Sequence, residues 1–430
     1  MTGILVKALS INNLRKKILI TFLILAFYRL LAHIPVPNIN HQALDMLFGS
    51  NSFFGVLNLF SGGGLSNMSI VAVGLSPYIS ASIIIQILTM MVPSLEELTK
   101  EGSMGRQRIN QYTQLLTFPI AIAQSYGIYA LLSRQAIGGQ EIFLNNDWFS
   151  ILTIVFIIAS GTYILMFLGE LITQYGIGQG MSMLIFAGIA AGIPGSLGQF
   201  VLTLESVQLF NVLVFAAVAL TVVASVVYIT QAIRKIDIQY SGRASNGSAM
   251  LGGKSYIPVK INQAGVIPII FAVSLVVVPN VLGAYLQRQD NRTLSEIGLW
   301  LTVNFASTSV LYSVFYFLMV FAFTYLYTSI TFNPEKIAED IRRGGGFIPG
   351  TRPGHSTVAY LRYVINRLTL AGGVFLGAIA VLPSVVQSMT GIAALSIGGT
   401  GILIVVSVIL ETIKQVEAQV VSKEYDSISS

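Results

Sequence analysis

FFGVLNLFSGGGLSNMSIVAVGLSPYISASIIIQILTMMVP, residues 53–93, sets the character of the whole chain. Its first piece, Phe53 to Phe60, is apolar but has fewer than half of the roughly 20 residues that a membrane crossing needs. The run Ser61-Gly62-Gly63-Gly64 interrupts it, and an apolar helix long enough to span is expected after the break. In hydrocarbon an unpaired backbone group costs several kcal/mol, so a short helix ending in glycines at membrane depth must be enclosed by protein or line a water-filled cavity. The stretch therefore reads as a movable stopper tethered to a wall. A re-entrant helix without a gating role is the competing reading.

Composition agrees with a polytopic membrane protein. Of 430 residues, 54% are hydrophobic and 10% charged, where a soluble domain carries roughly 25% charged residues, and the mean hydropathy is +0.76. The absence of cysteine excludes disulfides and thiolate metal sites. Residues 1–17 carry Lys7, Arg15, Lys16 and Lys17 and no small-residue cleavage site follows, so they read as an amphipathic cytosolic segment leading into the first span.

Apolar windows at 18–34, 68–92, 113–132, 149–169, 178–194, 209–231, 264–286, 307–330, 368–388 and 394–412 predict ten spans. With the N-terminus cytosolic, twenty Lys and Arg fall on the cytosolic side and only Arg134, Arg288 and Arg292 outside, which places both termini in the cytosol. Arg29, within a turn or two of the outer end of the first span, is expected to snorkel. A cut after the fifth span leaves two five-helix halves of opposite orientation, 18–194 and 195–412, followed by a cytosolic tail at 413–430. Inverted halves of this kind place a pathway between them near the midplane.

Two cytosolic loops, 232–262 and 331–365, exceed what a connection requires. In the first, Ile236, Ile238 and Tyr240 alternate with polar residues, as do Ile257, Val259 and Ile261, predicting a strand pair around a Gly/Ser/Asn-rich tip. In the second, Asn333 is a good N-cap, Pro334 suits the first helical position, and Arg342-Arg343 precede Gly344 as a stop. The helix so predicted ends in GGGFIPGTRPGHST (344–357), which exposes Arg352 on a shaped loop. A solvated loop that serves only to set orientation is the plainer reading.

The acidic residues and the three histidines lie at span ends or in loops, so an ordinary proton or ion relay has no groups at membrane depth to run on. No Ser/His/Asp spacing points to an intramembrane hydrolase. Gly176-Ile177-Gly178-Gln179-Gly180 resembles part of a dinucleotide fingerprint but follows an apolar helix rather than a strand. No Walker lysine motif occurs, so no cofactor is expected and energy would come from a partner. The spans instead offer isoleucine: Ile79 and Ile83 share one helix face, as do Ile185 and Ile189. Such β-branched side chains are stiff and suit a narrow, dry constriction, although isoleucine facing lipid is commoner.

At this point the residues resemble a known family. GLSPYISASIIIQIL (74–88), EGSMGRQRINQYTQ (101–114), YGIGQGMSMLIFAGI (175–189), YIPVKINQAGVIPIIFA (256–272), GGGFIPGTRPGHST (344–357) and GGTGILIVVSVILETIKQVEAQ (398–419) are similar, in that order, to blocks of the SecY family, central subunits of the bacterial protein translocase. The resemblance implies an all-α polytopic membrane protein, ten transmembrane helices in two inverted five-helix halves around a central pore. It implies an apolar pore ring at Ile79, Ile83, Ile185, Ile189, Ile270 and Ile404, with Ile269 and Ile402 as neighbours competing for the last two places. It also implies a plug over 53–67, including Phe53, Phe54, Val56, Leu57, Leu59, Phe60, Gly62, Gly63 and Gly64. A lateral gate between the second and third spans and the seventh and eighth follows from the same likeness. Arg352, Arg243, Arg342 and Arg343 would lie on the surface that docks the ribosome or the SecA motor. Gln179, Met181 and Asn67 depart from the family's usual residues. The implied partners are SecE, SecG, SecA, the ribosome, signal-sequence-bearing polypeptides and membrane lipids.

The expected function is a non-enzymatic, protein-conducting channel of the cytoplasmic membrane. It passes unfolded secretory chains across and releases transmembrane segments sideways. A secondary transporter of a small solute would need a polar midplane site, and a scaffold or insertase that never conducts is the third reading.

Overall fold

The computed structural model describes residues 11–50, 58, 61–133, 142–145, 147–203, 209–240, 254–287, 291–306, 309–390 and 398–429. In chain order these form α1 (Asn12–Leu31), α2 (His41–Ser50), α3 (Ser76–Met91), α4 (Pro93–Lys100), α5 (Ser103–Ser133), α6 (Trp148–Tyr175), α7 (Gly180–Thr203) and α8 (Leu209–Gln231). There follow β1 (Ile233–Tyr240), β2 (Lys254–Lys260), α9 (Ile267–Leu286), α10 (Arg292–Asn304), α11 (Val310–Thr331), α12 (Pro334–Arg343), β3 (Gly346–Phe347), α13 (His355–Thr390) and α14 (Gly398–Ser429).

Each of the ten apolar windows carries a helix. Among the described residues five helices are long and apolar enough to cross a membrane, or six when α3 and α4 count as one bent span. The second window departs most from expectation. Residues 61–75 form a series of turns, and only the 16 residues of α3 are helical. At its far end the chain bends by 105° into α4. Pro93 causes the bend: its ring disfavours the helical conformation for the preceding residue, and Val92 is extended at φ −108° and ψ 111°.

The chain divides into two compact units, Met1–Ala216 with Met389–Ser430, and Ala217–Ser388. In the first, α6 is the central post, with α1, α3, α5 and α7 packed around it and α14 against α7. Small residues allow the close approaches. A Cβ on Gly161 of α6 would strike the carbonyl of Ile70, and one on Gly180 would strike that of Gly169. One core of this unit joins Val36, Leu44, Leu47, Leu65 and Met68 to Leu132, Phe143, Ile154 and Ile158. A second core joins Tyr28 and Leu31 of α1 to Val71, Leu75, Leu165, Ile172 and Leu184.

In the second unit α9 packs on α10 and α11. The expected strand pair is present as antiparallel β1 and β2, with Ile236 opposite Ile257 and Ile238 opposite Ser255. Its tip lies outside the described residues. β3 adds to the other edge of β1 to give the order β2-β1-β3. Ile236, Ile238 and Val259 of the sheet share a core with Phe332, Ala338, Ile341, Ile348, Leu361 and Ile365. The two enlarged loops, read separately in the sequence, are thus one lobe with its own hydrophobic interior.

Candidate functional site

The glycine run at 61–64 is a tight, internally bonded turn. Gly62 and Gly63 are left-handed, at φ +68° and +83°, a conformation open to glycine at little cost. Asn58 organises it, accepting from Gly63 N at 2.9 Å on its backbone oxygen and from Ser66 N at 2.8 Å on Oδ1. Ser61 Oγ accepts from Leu65 N at 2.9 Å, and Ser66 Oγ donates to Gly63 O at 3.0 Å. Polar side chains therefore satisfy buried and part-buried backbone groups of the turn.

This turn sits on the backbone of α7 and the end of α1. A Cβ on Gly62 would overlap the Tyr28 hydroxyl and lie 2.9 Å from Gly188 Cα. A Cβ on Gly188 would lie 2.7 Å from Gly62 Cα. The cavity beside this contact, lined by Tyr28, Gly62, Leu75, Leu165, Ile185 and Gly188, measures about 10 Å³, room for one water at most. Arg29, in the last turn of α1, donates from Nη1 to Gly62 O at 2.9 Å. Of the plug positions read from the sequence, Phe53, Phe54, Val56, Leu57, Leu59 and Phe60 lie outside the described residues. Gly62, Gly63 and Gly64 are the part that can be placed.

Five of the six isoleucines fall in the first unit. Ile79 of α3 and Ile185 of α7 both pack against the core that holds Tyr28, Leu75 and Leu184. Ile189, one turn beyond Ile185, is 4% exposed, and its Cγ2 would be 3.0 Å from a Cβ on Gly401 of α14. Ile404, three residues after Gly401 and so on the same helix face, is 1% exposed. The structure thus brings Ile79 and Ile185 to one cluster and sets Ile189 against the helix of Ile404. Ile83 is half-buried on α3. Ile270 belongs to the second unit, where it is buried at 8% beside a fully buried Ile269. The side chain of Ile402 lies outside the described residues.

In the lobe, Asn333 caps α12 as the sequence predicts, its Oδ1 accepting from Glu335 N at 3.1 Å and Lys336 N at 3.0 Å. Arg342 and Arg343, both exposed, bind Glu339 at 2.8 and 3.0 Å. Hydrogen bonds from Arg342 and then Arg343 hold the Glu339 carboxyl below its usual range. Arg352 is exposed, and it forms no ion pair among the described residues. Its loop is shaped rather than slack: Gly350 and Gly354 are left-handed at φ +82° and +105°. Thr351 N bonds Ile348 O at 3.0 Å, and Thr357 Oγ1 bonds the Arg352 carbonyl at 3.0 Å. A free guanidinium on a fixed loop presents a directional positive charge. Arg243 lies outside the described residues.

Sequence reading missed α2 and α10. The signal was available in both cases: Asn40 Oδ1 accepts from Gln42 N and Ala43 N, and Asn291 Oδ1 from Thr293 N, each an asparagine in N-cap position. It also missed the contact of Arg29, although that is the one basic residue which the positive-inside pattern leaves unexplained.

Apolar helices of spanning length and a glycine turn seated between helices define a helical protein of membrane type. The structure resembles that of a protein conducting channel, with TM-score 0.66 and 18% identity over 97% of this chain and 95% of that one. It also resembles Sec61 in the canine ribosome-channel complex, with TM-score 0.62 and 17% identity over 97% and 95%. The model of the SecY family matches residues 69–413. The protein translocase subunit SecY of Streptomyces galbus is 41% identical over 438 residues, 98% of each chain, and that of Mycobacterium bovis 40% over 445 residues, 99% of each. The chain belongs to the SecY family, and its function is that of a protein-conducting translocase subunit.

Proposed function

We propose that the chain crosses the cytoplasmic membrane ten times as two inverted five-helix halves, 18–194 and 195–412, with both termini in the cytosol. Unfolded polypeptide passes between the halves through a ring of Ile79, Ile83, Ile185, Ile189, Ile270 and Ile404. A stiff aliphatic waist leaves no polar partner for water and breaks the water column, so ions meet a barrier when the pore is empty. The segment 53–67 closes the waist until a substrate arrives. A signal sequence with an apolar core of roughly 7–15 residues opens the seam between the second and third spans and the seventh and eighth. At about 0.8 kcal/mol per buried CH₂, a few leucines supply several kcal/mol of bias toward the open state.

The lobe of β1, β2, α12 and the Arg352 loop docks the SecA motor or the ribosome, and SecE and SecG complete the complex. The likeness to a ribosome-bound channel supports the ribosome as partner. The chain itself performs no catalysis. The observation that carries the reading is the enclosure of Ile189 and Ile404 on facing helices of the first unit, with Ile79 and Ile185 on the cluster beneath the glycine turn. Reconstitution with its partner subunits, a motor, ATP and a signal-bearing precursor tests it. Protease-protected precursor inside the vesicles is expected, and none in the presence of all partners would overturn it.

A further inference from the structure

Leu65 and Met68 are buried at 3% and 0% in the core shared with α2, α5 and α6, so the wall side of the turn is fixed from Leu65 onward. The three glycines before it have no side chains to bury. Gly62 and Gly63 sit in left-handed conformations that a small rotation of the chain leaves open to them. This makes 62–64 the pivot between the fixed wall and the chain that precedes it. What restrains the pivot from the opposite side is the end of α1: the Tyr28 ring fills the space a Cβ would take, and Arg29 reaches Gly62 O. The left-handed turn removes that carbonyl from any helix, and Arg29 supplies its donor.

We infer that Arg29 is a positioning residue of the resting channel, a charged latch whose bond to Gly62 O holds the glycine pivot against α7, and that opening requires this bond to break. The inference rests on the proposed channel reading. An arginine near the end of a span finds partners within the bundle. Here the partner is a backbone carbonyl rather than an acid, so the bond can break without leaving a buried anion. Charge-assisted hydrogen bonds of this kind contribute roughly 1.5–3 kcal/mol. At 1.4 kcal/mol per tenfold, that is about a 10- to 100-fold change in the population of unseated pivot.

The test uses the full chain with its partner subunits in vesicles and exploits its lack of cysteine. A single cysteine replaces Ser61, which precedes the three glycines and is 4% exposed, so that it is shielded while the turn is seated. Its reaction with a membrane-impermeant maleimide reports how often the pivot leaves its seat, and bilayer conductance reports the leak. Arg29→Met is expected to raise both by about 10- to 100-fold over the parent, and Arg29→Lys to restore much of the difference. Should Arg29→Met fail to accumulate, Arg29→Gln and Arg29→Lys carry the comparison, with labelling ordered Gln above Lys above parent.

Equal labelling and equal leak across the variants would overturn the latch. A chain lacking 53–60 is the reference. If it conducts while the Arg29 variants stay tight, the latch fails and the channel reading stands. If it passes no ions even with a signal peptide, the channel reading itself fails.

Discussion

Ile189 of α7 and Gly401 of α14 are in contact so close that a Cβ on the glycine would sit 3.0 Å from Ile189 Cγ2. That distance fixes where α14, and with it Ile404, lies against α7. A valine at 401 must push Ile189 aside or tilt α14, and overpacking of this kind costs about 1–3 kcal/mol. Gly401→Val is expected to raise resting ion leak at near-normal abundance, with Gly401→Ala between it and the parent. Planar-bilayer conductance of the three proteins checks the order.

Removing the aliphatic surface directly has a larger effect. Ile83→Gly with Ile189→Gly, or deletion of 53–60, is expected to raise resting conductance by at least tenfold, because a dry constriction loses its barrier once wide enough to wet. Unchanged conductance in both would count heavily against a seal at this ring.

Arg352 differs from Arg342 and Arg343 in having no carboxylate to satisfy it among the described residues, whereas Glu339 engages the other two. Arg352→Glu is therefore expected to cut motor-driven or ribosome-driven transport by tenfold or more and leave the melting temperature within a degree or two, since surface changes of this kind cost little stability. Arg343→Glu, which opposes Glu339, is expected to lower stability more than Arg352→Glu does. Transport of a precursor and thermal melting of the purified complex separate the two effects.

The lobe's short helix offers a pH-dependent readout. Glu339 has a depressed pKa in the folded state, so its contribution is present above the ordinary carboxylate range and is lost as pH falls through the depressed value. Hydrogen exchange at 340–344, corrected for intrinsic rates, is expected to speed up on that acid side, and Glu339→Gln to abolish the change. Asn333→Ala, which removes the cap at the other end, is expected to cost about 1 kcal/mol at any pH.

How far these features could be read in advance depended on whether their causes were local. The Asn333 cap, the strand pair around Ile236 and Ile257 and the helix in each apolar window follow from near neighbours in sequence, and all are present. The break at 61–64 was legible in its glycines, but the turns that continue over 68–75 did not announce themselves. Hydropathy sees Val71, Ala72, Val73 and Leu75 as helix, but their shape is set by distant partners: Ile34 O accepts from Ile70 N, Met68 O from Val36 N, and Gly74 O from Thr162 Oγ1. The contact of Arg29 escaped for the same reason, since its partner lies 33 residues away. The union of the two loops into one lobe rests on Ile238 and Ile341 sharing a core, which no window of sequence contains. Among the candidate isoleucines, helical spacing paired Ile185 with Ile189, yet only the packing of α7 on α14 sets Ile189 beside Gly401.

The most direct measurement places single cysteines in the otherwise cysteine-free chain at Ile83, half-buried on α3, and at Leu23, which is 61% exposed on α1. A secretory chain stalled in mid-passage carries a cysteine of its own. A disulfide adduct is expected with the Ile83 variant and none with the Leu23 variant. Adducts at Leu23 with none at Ile83 would mean that the substrate travels along the outer surface of the helices, contradicting an isoleucine-lined path.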